Sequence, residues 1–265
     1  MLVLSLVIPA YNEAARLGNT LKQVFAYLQL QPYASEVIVV SDGSTDETVH
    51  VVESIFAVNL SRVKGRLVSY PANRGKGYAV RQGLLAATGT VALFSDADLS
   101  TPITDLPLLL EPILAGKYDV VFGSRALDRS LIGTHQPWLR EQSGRFFNRI
   151  MRLATGLPYT DTQCGFKAFR MAVCRPFVEG TQLDRFGFDV ELLYLAHHAG
   201  LRLCEQPVHW NDVAGSKVGL LSGLDGFREL RQLRRAARRG LYDTALRQTR
   251  EVLSDTAAGN RVGQM

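Results

Sequence analysis

Short apolar segments alternate with longer helix-like segments over the first 125 residues, and this alternation constrains the fold more than any other feature. Five runs rich in β-branched residues are typical of strands buried on both faces, at 2–8, 36–40, 66–69, 91–94 and 119–122. Helical stretches separate them at 13–30, 46–58, 77–87 and 106–115. This order predicts an α/β fold with a mostly parallel central sheet, helices on both faces and ligands at the carboxyl ends of the strands.

The regular alternation ends near residue 125. We expect an irregular loop over 130–136, a basic helix over 138–155, a mixed segment, a helix over 186–199 and a strand over 201–210. Pro207 lies inside that last run and predicts an edge strand or a bulge, because proline cannot donate to a sheet.

The chain ends in an arginine-rich segment that we predict to be helical from 224 to about 253. Its apolar residues recur every three or four positions and form one stripe, Leu224, Phe227, Leu230, Leu233, Ala237 and Leu241. Six arginines lie beside the stripe, Arg228, Arg231, Arg234, Arg235, Arg238 and Arg239. A basic amphipathic helix can lie on an anionic membrane, although a helix docked on the domain with solvated arginines fits equally well. We divide the chain into a domain at 1–222 and a basic helical extension at 223–265.

Composition excludes several classes of protein. The 265 residues are 46% hydrophobic and 21% charged, which suits a chain with one large core and excludes disorder. Three cysteines without close spacing argue against a disulfide framework and a zinc site, and for a reducing compartment. The apolar start at 2–10 is far shorter than the ~20 residues of a membrane-spanning helix. We therefore expect a cytoplasmic protein.

Three of the predicted strands end in acidic motifs. These are Pro9-Ala10-Tyr11-Asn12-Glu13, Ser41-Asp42-Gly43-Ser44 and Asp96-Ala97-Asp98. One such motif could simply cap a helix, but three at one edge of a parallel sheet indicate a ligand site. Asp96 and Asp98 together can hold a divalent cation against a diphosphate.

Two local motifs predict how helices begin. The segment Ser44-Thr45-Asp46-Glu47 fits a capping box at the start of the second helix. The glycine-rich turn at 73–77 precedes the third helix and would offer free N–H groups to an anion, unless it is an ordinary basic turn.

Together these motifs resemble glycosyltransferase family 2, which has a GT-A fold with a Rossmann-like nucleotide-binding half. The resemblance rests on V-I-P-A-Y-N-E, S-D-G-S-T-D-E-T, N-R-G-K-G-Y-A, D-A-D and G-S-R, in this order. It continues through D-T-Q-C-G-F-K, F-D-V-E-L-L and G-S-K, which resemble the dolichyl-phosphate β-glucosyltransferases and, more loosely, the dolichyl-phosphate mannose synthases.

The resemblance implies a nucleotide-sugar donor, an Mg²⁺ or Mn²⁺ ion and inversion at the anomeric carbon. Residues matching the nucleotide-sugar site are Pro9, Tyr11, Glu13, Asp42, Lys76, Asp96 and Asp98, the last two also as metal ligands. Arg125 matches a phosphate-binding position. Two departures stand out: Ser41 replaces a frequent aspartate, and Ser100 stands where mannose synthases often have glutamine.

A polyprenyl phosphate acceptor is already an anion and needs cations that hold it in line with the anomeric carbon. The candidates are Arg125, Arg140, Ser216 and Lys217, although a solvated helix face explains Arg140 equally well. Asp161, Asp189 and Glu191 could order these cations, or one could act as a base towards a sugar hydroxyl. Because Asp189 and Glu191 are two positions apart on a helix, only one can point into the site.

The sequence therefore predicts an inverting, metal-dependent glycosyltransferase that moves glucose from UDP-glucose to a polyprenyl phosphate. The predicted catalytic residues are Asp98, Arg125, Asp161 and Asp189. The alternatives are GDP-mannose as donor, a saccharide hydroxyl as acceptor, or a non-catalytic nucleotide-sugar-binding protein. We expect peripheral attachment to the cytoplasmic face of a membrane through the basic helix, and no nucleic-acid partner.

Overall fold

A computed structural model describes residues 2–57, 62–134, 138–213 and 222–262. The described strands are β1 Leu2–Ala10, β2 Ala34–Asp42, β3 Val63–Tyr70, β4 Val91–Ser95, β5 Val120–Ser124, β6 Ile132–Thr134, β7 Phe166–Arg170, β8 Leu203–Pro207 and β9 Trp210–Asn211. The described α-helices are α1 Ala14–Gln29, α2 Thr48–Phe56, α3 Lys76–Ala86, α4 Leu106–Leu114, α5 Trp138–Thr155, α6 Met171–Glu179, α7 Phe188–His198, α8 Ser222–Arg238 and α9 Asp243–Val262.

One sheet organises the molecule, with the strand order β3-β2-β1-β4-β7-β5-β8. Its strands are parallel except β7, which runs antiparallel to both of its neighbours. The chain therefore enters β7 at the edge where β4 and β5 end, and the Asp96 N–H donates to the Gly165 carbonyl 3.2 Å away. This edge gathers polar residues from both parallel and antiparallel strands.

Helices cover both faces of the sheet, as predicted. Alternate residues of β1 face opposite ways, so that Val7 packs in the core under α3, α6 and α7, whereas Leu6 and Ile8 pack under α1 and α4. All three side chains are fully buried. The apolar runs in the sequence thus mark strands buried on both faces.

The five predicted early strands and the four predicted early helices are present, with shifted ends. Pro207 ends β8 at the edge of the sheet, as predicted. The prediction of a capping box is wrong, because the carboxylate of Asp46, not a Ser44 side chain, accepts the Thr48 N–H, and Ser44 Oγ accepts the Asn12 N–H.

Other differences lie after residue 125. The predicted loop at 130–136 contains a 3₁₀ turn and β6, which pairs with β9 rather than with the main sheet. The predicted strand at 201–210 is divided into β8 and β9, and β7 and α6 were not predicted. The predicted long C-terminal helix is instead two helices, and Gly240 between them has a φ of +70°.

The apolar stripe of α8 faces the protein. Leu230, Leu233 and Ala236 lie in the same core as α6 and α7, while all six arginines of α8 and its end are exposed. Docking on the domain therefore accounts for Leu230, Leu233 and Ala237 of the stripe, whereas Leu241 at its end is 56% exposed. Among the described residues, no helix combines the length and apolar character needed to cross a bilayer.

Candidate active site

Four acidic side chains lie at the carboxyl ends of the parallel strands β1, β2 and β4, and we call them the parallel rim. They are Glu13, Asp42, Asp96 and Asp98. β1 lies between β2 and β4 in the sheet, so the three strand ends are neighbours. At the end of β1, Pro9 is buried and Tyr11 is 40% exposed. The convergence predicted from the three motifs is therefore present.

Asp42 is held by the turn that precedes α3. Its two carboxylate oxygens accept the N–H groups of Arg74 and Gly75, both at 2.8 Å. Gly75 has a φ of +112°, a conformation that disfavours any other residue. The Asp42 side chain is thus fixed in orientation.

The same hydrogen bonds correct the prediction that this turn offers free N–H groups to an anion. The N–H groups of Arg74 and Gly75 bind Asp42, and those of Gly77 and Tyr78 donate to the carbonyls of Arg185 and Asp184, each at 3.0 Å. Protein acceptors satisfy these four donors.

Asp98 is oriented by Ser100, which stands where mannose synthases often have glutamine. Ser100 donates both its N–H, at 3.0 Å, and its hydroxyl, at 2.9 Å, to Asp98 Oδ1. Arg16 Nη1 lies 3.6 Å from Asp98 Oδ2, and Arg16 also forms a two-point ion pair with Glu13. Arg16 therefore connects the end of β1 with the end of β4.

Asp96 lies between a cation and a glycine. Lys76 Nζ is 2.6 Å from Asp96 Oδ1. Burial would lower the pKa of Lys76, but the negative charges of Asp96 and Asp189 outweigh it and raise that pKa. A Cβ on Gly165 would lie only 2.1 Å from Asp96 Oδ2, so this carboxylate occupies space that a side chain at 165 would fill.

Asp96 and Asp98 suit a divalent cation by their donor chemistry. Carboxylate oxygens are the ligands that Mg²⁺ and Mn²⁺ prefer, and Mg²⁺ is commonly held by one or two carboxylates plus substrate phosphates and water. Among the described residues, no group of three His, Cys, Asp or Glu side chains could form a complete protein cage. By its donor chemistry, the pair could hold a cation together with a bound diphosphate.

A second group of charges surrounds the start of β7, and we call it the β7 cluster. It consists of Arg125, Asp161, Lys167 and Asp189. Arg125 donates Nε at 2.7 Å and Nη2 at 2.9 Å to the two oxygens of Asp161. Burial would raise the pKa of Asp161, but the charge and hydrogen bonds of Arg125 outweigh it and hold that pKa well below its usual range.

Lys167 forms the other half of the β7 cluster. This fully buried lysine donates to the Cys164 carbonyl at 2.6 Å and pairs with Asp189. Burial raises the pKa of Asp189, although the charges of Lys167 and Lys76 oppose the shift. Asp189 thus lies at the site in a buried ion pair with Lys167.

The expectation that only one of Asp189 and Glu191 points into the site is confirmed. Glu191 instead accepts the N–H groups of Gln182 and Leu183 and the Tyr242 hydroxyl, away from the rim. It does not order the predicted cations.

Several residues of the site were missed by the sequence analysis. Lys167 and Arg16 supply cations, and Glu205 on β8 accepts the N–H groups of Thr160 and Asp161 at 2.8 and 2.7 Å. A lysine between two phenylalanines of a short strand was the available signal for Lys167. The side chain of Arg140, and Ser216 and Lys217 entirely, lie outside the described residues.

Comparison with known proteins identifies the family. The model of Glycosyl transferase family 2 matches residues 5–177. The chain belongs to this family. Accordingly, it is a glycosyltransferase with the GT-A fold, as the sequence motifs predicted.

Two curated relatives are similar over most of the chain. A dolichyl-phosphate beta-glucosyltransferase of Drosophila melanogaster is 38% identical over 228 residues, 82% of this chain and 69% of that protein. The human dolichyl-phosphate beta-glucosyltransferase is 34% identical, over 81% of this chain and 69% of that protein.

A solved structure shares the fold at low identity. It is glucosyl-3-phosphoglycerate synthase from Mycobacterium tuberculosis in complex with Mn²⁺, uridine diphosphate and phosphoglyceric acid, with a TM-score of 0.64 and 19% identity. The match covers 92% of this chain and 78% of that one.

Proposed function

We propose that this protein transfers glucose from UDP-glucose to a polyprenyl phosphate such as dolichyl phosphate, with inversion at the anomeric carbon. The similarity to dolichyl-phosphate beta-glucosyltransferases supports the sugar and the acceptor. The structurally similar M. tuberculosis enzyme, solved with UDP and Mn²⁺, supports the donor and the cation.

The donor is assigned to the parallel rim. Pro9, Tyr11, Glu13 and Asp42 would contact the base and ribose at the ends of β1 and β2. Lys76, Asp96 and Asp98 would contact the diphosphate, directly or through the cation. An Mg²⁺ or Mn²⁺ ion bound by the two aspartates would supply positive charge for the leaving diphosphate.

The observation that carries the acceptor assignment is that the carboxylates of the β7 cluster are already engaged by cations. Asp161, with its pKa held well below the usual range by Arg125, is a poor general base. Asp189 is bonded to Lys167. A sugar hydroxyl would need a base here, whereas a phosphate attacks as an anion and needs none.

In the proposed reaction, an oxygen of the acceptor phosphate attacks the anomeric carbon of glucose from the side opposite the diphosphate. A new carbon–oxygen bond forms while the bond to the β-phosphate oxygen breaks, and its electron pair leaves with UDP. Arg125 would hold the acceptor phosphate in line, aided by Arg140, Ser216 and Lys217. No proton has to be removed from the nucleophile.

We assign catalysis to residues 1–222 and membrane attachment to the extension at 223–265. Because the apolar stripe of α8 packs inward, the exposed arginines would attach the protein electrostatically rather than by insertion. Three free cysteines support a reducing compartment, and we assign the attachment to the cytoplasmic face.

A donor screen tests the reaction. The protein is incubated with a short-chain polyprenyl phosphate, Mn²⁺ and UDP-glucose, UDP-galactose or GDP-mannose, and release of the nucleoside diphosphate is measured. We expect release from UDP-glucose that depends on the polyprenyl phosphate, and tighter competition by UDP than by GDP. Release from GDP-mannose alone would instead identify a mannosyltransferase, and release with a saccharide acceptor but no lipid phosphate would contradict the acceptor.

Vesicle binding tests the attachment. Replacing Arg231, Arg234, Arg235 and Arg238 by glutamine should weaken binding to anionic vesicles by about 1 kcal/mol per charge. Added salt should mimic this loss, since the attraction is screened within a Debye length. Turnover on a water-soluble acceptor phosphate should stay unchanged. If neither the substitutions nor salt changes vesicle binding, these arginines form a solvent-exposed face that plays no part in attachment.

A further inference from the structure

The loop between α6 and α7, residues 180–187, lies directly against the turn that carries Lys76. The carbonyls of Arg185 and Asp184 accept the N–H groups of Gly77 and Tyr78, each at 3.0 Å. A Cβ on Gly75 would lie 2.3 Å from the Asp184 carbonyl oxygen. The loop and the first turn of α3 are therefore in backbone contact.

The opposite side of the same loop is held by one carboxylate from α8. Glu229 accepts three consecutive N–H groups, from Arg185 at 3.1 Å, Phe186 at 2.9 Å and Gly187 at 2.8 Å. Its side chain is 7% exposed, and a Cβ on Gly187 would lie 2.8 Å from the Cβ of Glu229. Oε1 accepts the Arg185 N–H and Oε2 accepts the other two, so a glutamine in this space would turn its amide NH2 towards at least one of these N–H groups.

These contacts form a continuous path from α8 to the parallel rim. At Arg185, the backbone N–H donates to Glu229 and the backbone carbonyl accepts the N–H of Gly77. Gly77 follows Lys76, whose Nζ lies 2.6 Å from Asp96. Glu191 also binds this loop, but at Gln182 and Leu183, which are not the residues that hydrogen-bond α3.

We propose that Glu229 is a positioning residue for the nucleotide-sugar site, acting through the α6–α7 loop on Lys76 and so on Asp96. The proposal rests on the assignment of the parallel rim to the donor. It gives α8 a part in donor binding that is separate from its exposed arginines.

The test compares Glu229→Gln with Leu233→Ala, which removes a side chain that is 1% exposed on the same helix and lowers stability without removing a hydrogen bond to the loop. UDP affinity in the presence of Mn²⁺ is measured by calorimetry, and KM is measured separately for the donor and the acceptor. We expect Glu229→Gln to weaken UDP binding and raise the donor KM about tenfold, with the acceptor KM unchanged. Leu233→Ala should lower Tm and leave UDP affinity at the wild-type value. Glu229→Asp should restore part of the affinity and serves if Glu229→Gln does not fold.

Amide hydrogen exchange provides a readout that does not require the proposed reaction. Exchange at residues 77 and 78 should accelerate in Glu229→Gln and Glu229→Asp but not in Leu233→Ala. Suppose that exchange accelerates in the Glu229 variants but the wild-type protein does not bind UDP. That result would refute the donor assignment alone. Wild-type exchange rates and UDP affinity in the folded Glu229 variants, or equal losses in Leu233→Ala, would overturn the positioning role.

Discussion

The parallel rim and the β7 cluster both hold several carboxylates at one edge of the sheet, but they hold them differently. In the parallel rim, Asp42 and Asp98 accept hydrogen bonds from backbone N–H groups and a hydroxyl, and the ion pairs of Lys76 with Asp96 and of Arg16 with Asp98 are partly exposed. In the β7 cluster, Asp161 and Asp189 pair with cationic side chains.

The two aspartates of the D-x-D motif and the Lys167–Asp189 pair also differ in exposure, although Asp42 in the rim is 3% exposed and the Arg125 side chain in the cluster is 28% exposed. The side chains of Asp96 and Asp98 are 31% and 15% exposed, whereas Lys167 and Asp189 are 0% and 7% exposed. Water can replace a partner in the parallel rim, and so can a ligand. In the β7 cluster, the loss of one charge leaves the other without compensation in the interior. We conclude that Asp96 and Asp98 of the parallel rim can exchange partners, whereas Lys167 and Asp189 of the β7 cluster keep theirs.

The largest expected effect is that of Lys167→Met. Removal of this ammonium leaves Asp189 buried without its partner, which costs about 3–5 kcal/mol of unfolding free energy in comparable buried pairs. Urea denaturation measures the change. The double variant Lys167→Met/Asp189→Asn should be more stable than Lys167→Met, because it removes the orphaned charge. A single variant within about 1 kcal/mol of wild type would contradict the contrast between the regions.

Asp98→Ala should act on binding rather than on folding. We expect Mn²⁺-dependent UDP affinity to fall about 10–100-fold, because one of two carboxylates for the cation is lost. The matched control is Asp128→Ala, since Asp128 also accepts the N–H and hydroxyl of a serine two residues on, at 2.9 and 2.7 Å. Equal UDP affinity in the two folded variants would refute the assignment of the cation to the parallel rim.

The third prediction concerns acid stability. The folded-state pKa of Asp161 lies below its unfolded value of about 3.9, so its ionised form stabilises the fold at higher pH. That stabilisation is lost as the pH falls below this value towards the folded pKa. Asp161→Asn should therefore be less stable than wild type at pH 7, and the difference should shrink between pH 5 and pH 3. Thermal unfolding at each pH measures this difference. If the difference between the two proteins stays constant from pH 5 to pH 3, the stabilisation does not come from the ionised form of Asp161.

The sequence allowed the parallel rim to be predicted because each of its residues follows a buried strand in a short motif. Once the sheet was recognised as parallel, Asp42 and Asp96 had to meet at one edge. The local sequence thus predicts both each strand and the acidic residues at its carboxyl end.

The β7 cluster could not be derived in the same way. No local pattern states that β7 enters the sheet between β4 and β5, or that Lys167 pairs with a residue 22 positions away. The pairing of Glu229 with a loop 42 to 44 positions earlier is equally remote. Such partners are determined by tertiary packing, and the periodicity of apolar residues in the sequence does not predict them.

The smallest expected effect on stability is that of Arg16→Met, the counterpart of Lys167→Met in the parallel rim. The Arg16 side chain is 25% exposed and pairs with Glu13 three residues earlier, so water screens the pair. Methionine preserves an apolar stem at this position. The free energy of unfolding should fall by no more than about 1 kcal/mol. Mn²⁺ affinity should rise a few-fold, since the positive charge 3.6 Å from Asp98 is gone. If urea denaturation instead shows a loss as large as that of Lys167→Met, the parallel rim is as rigidly paired as the β7 cluster, and its capacity to exchange partners for a ligand is refuted.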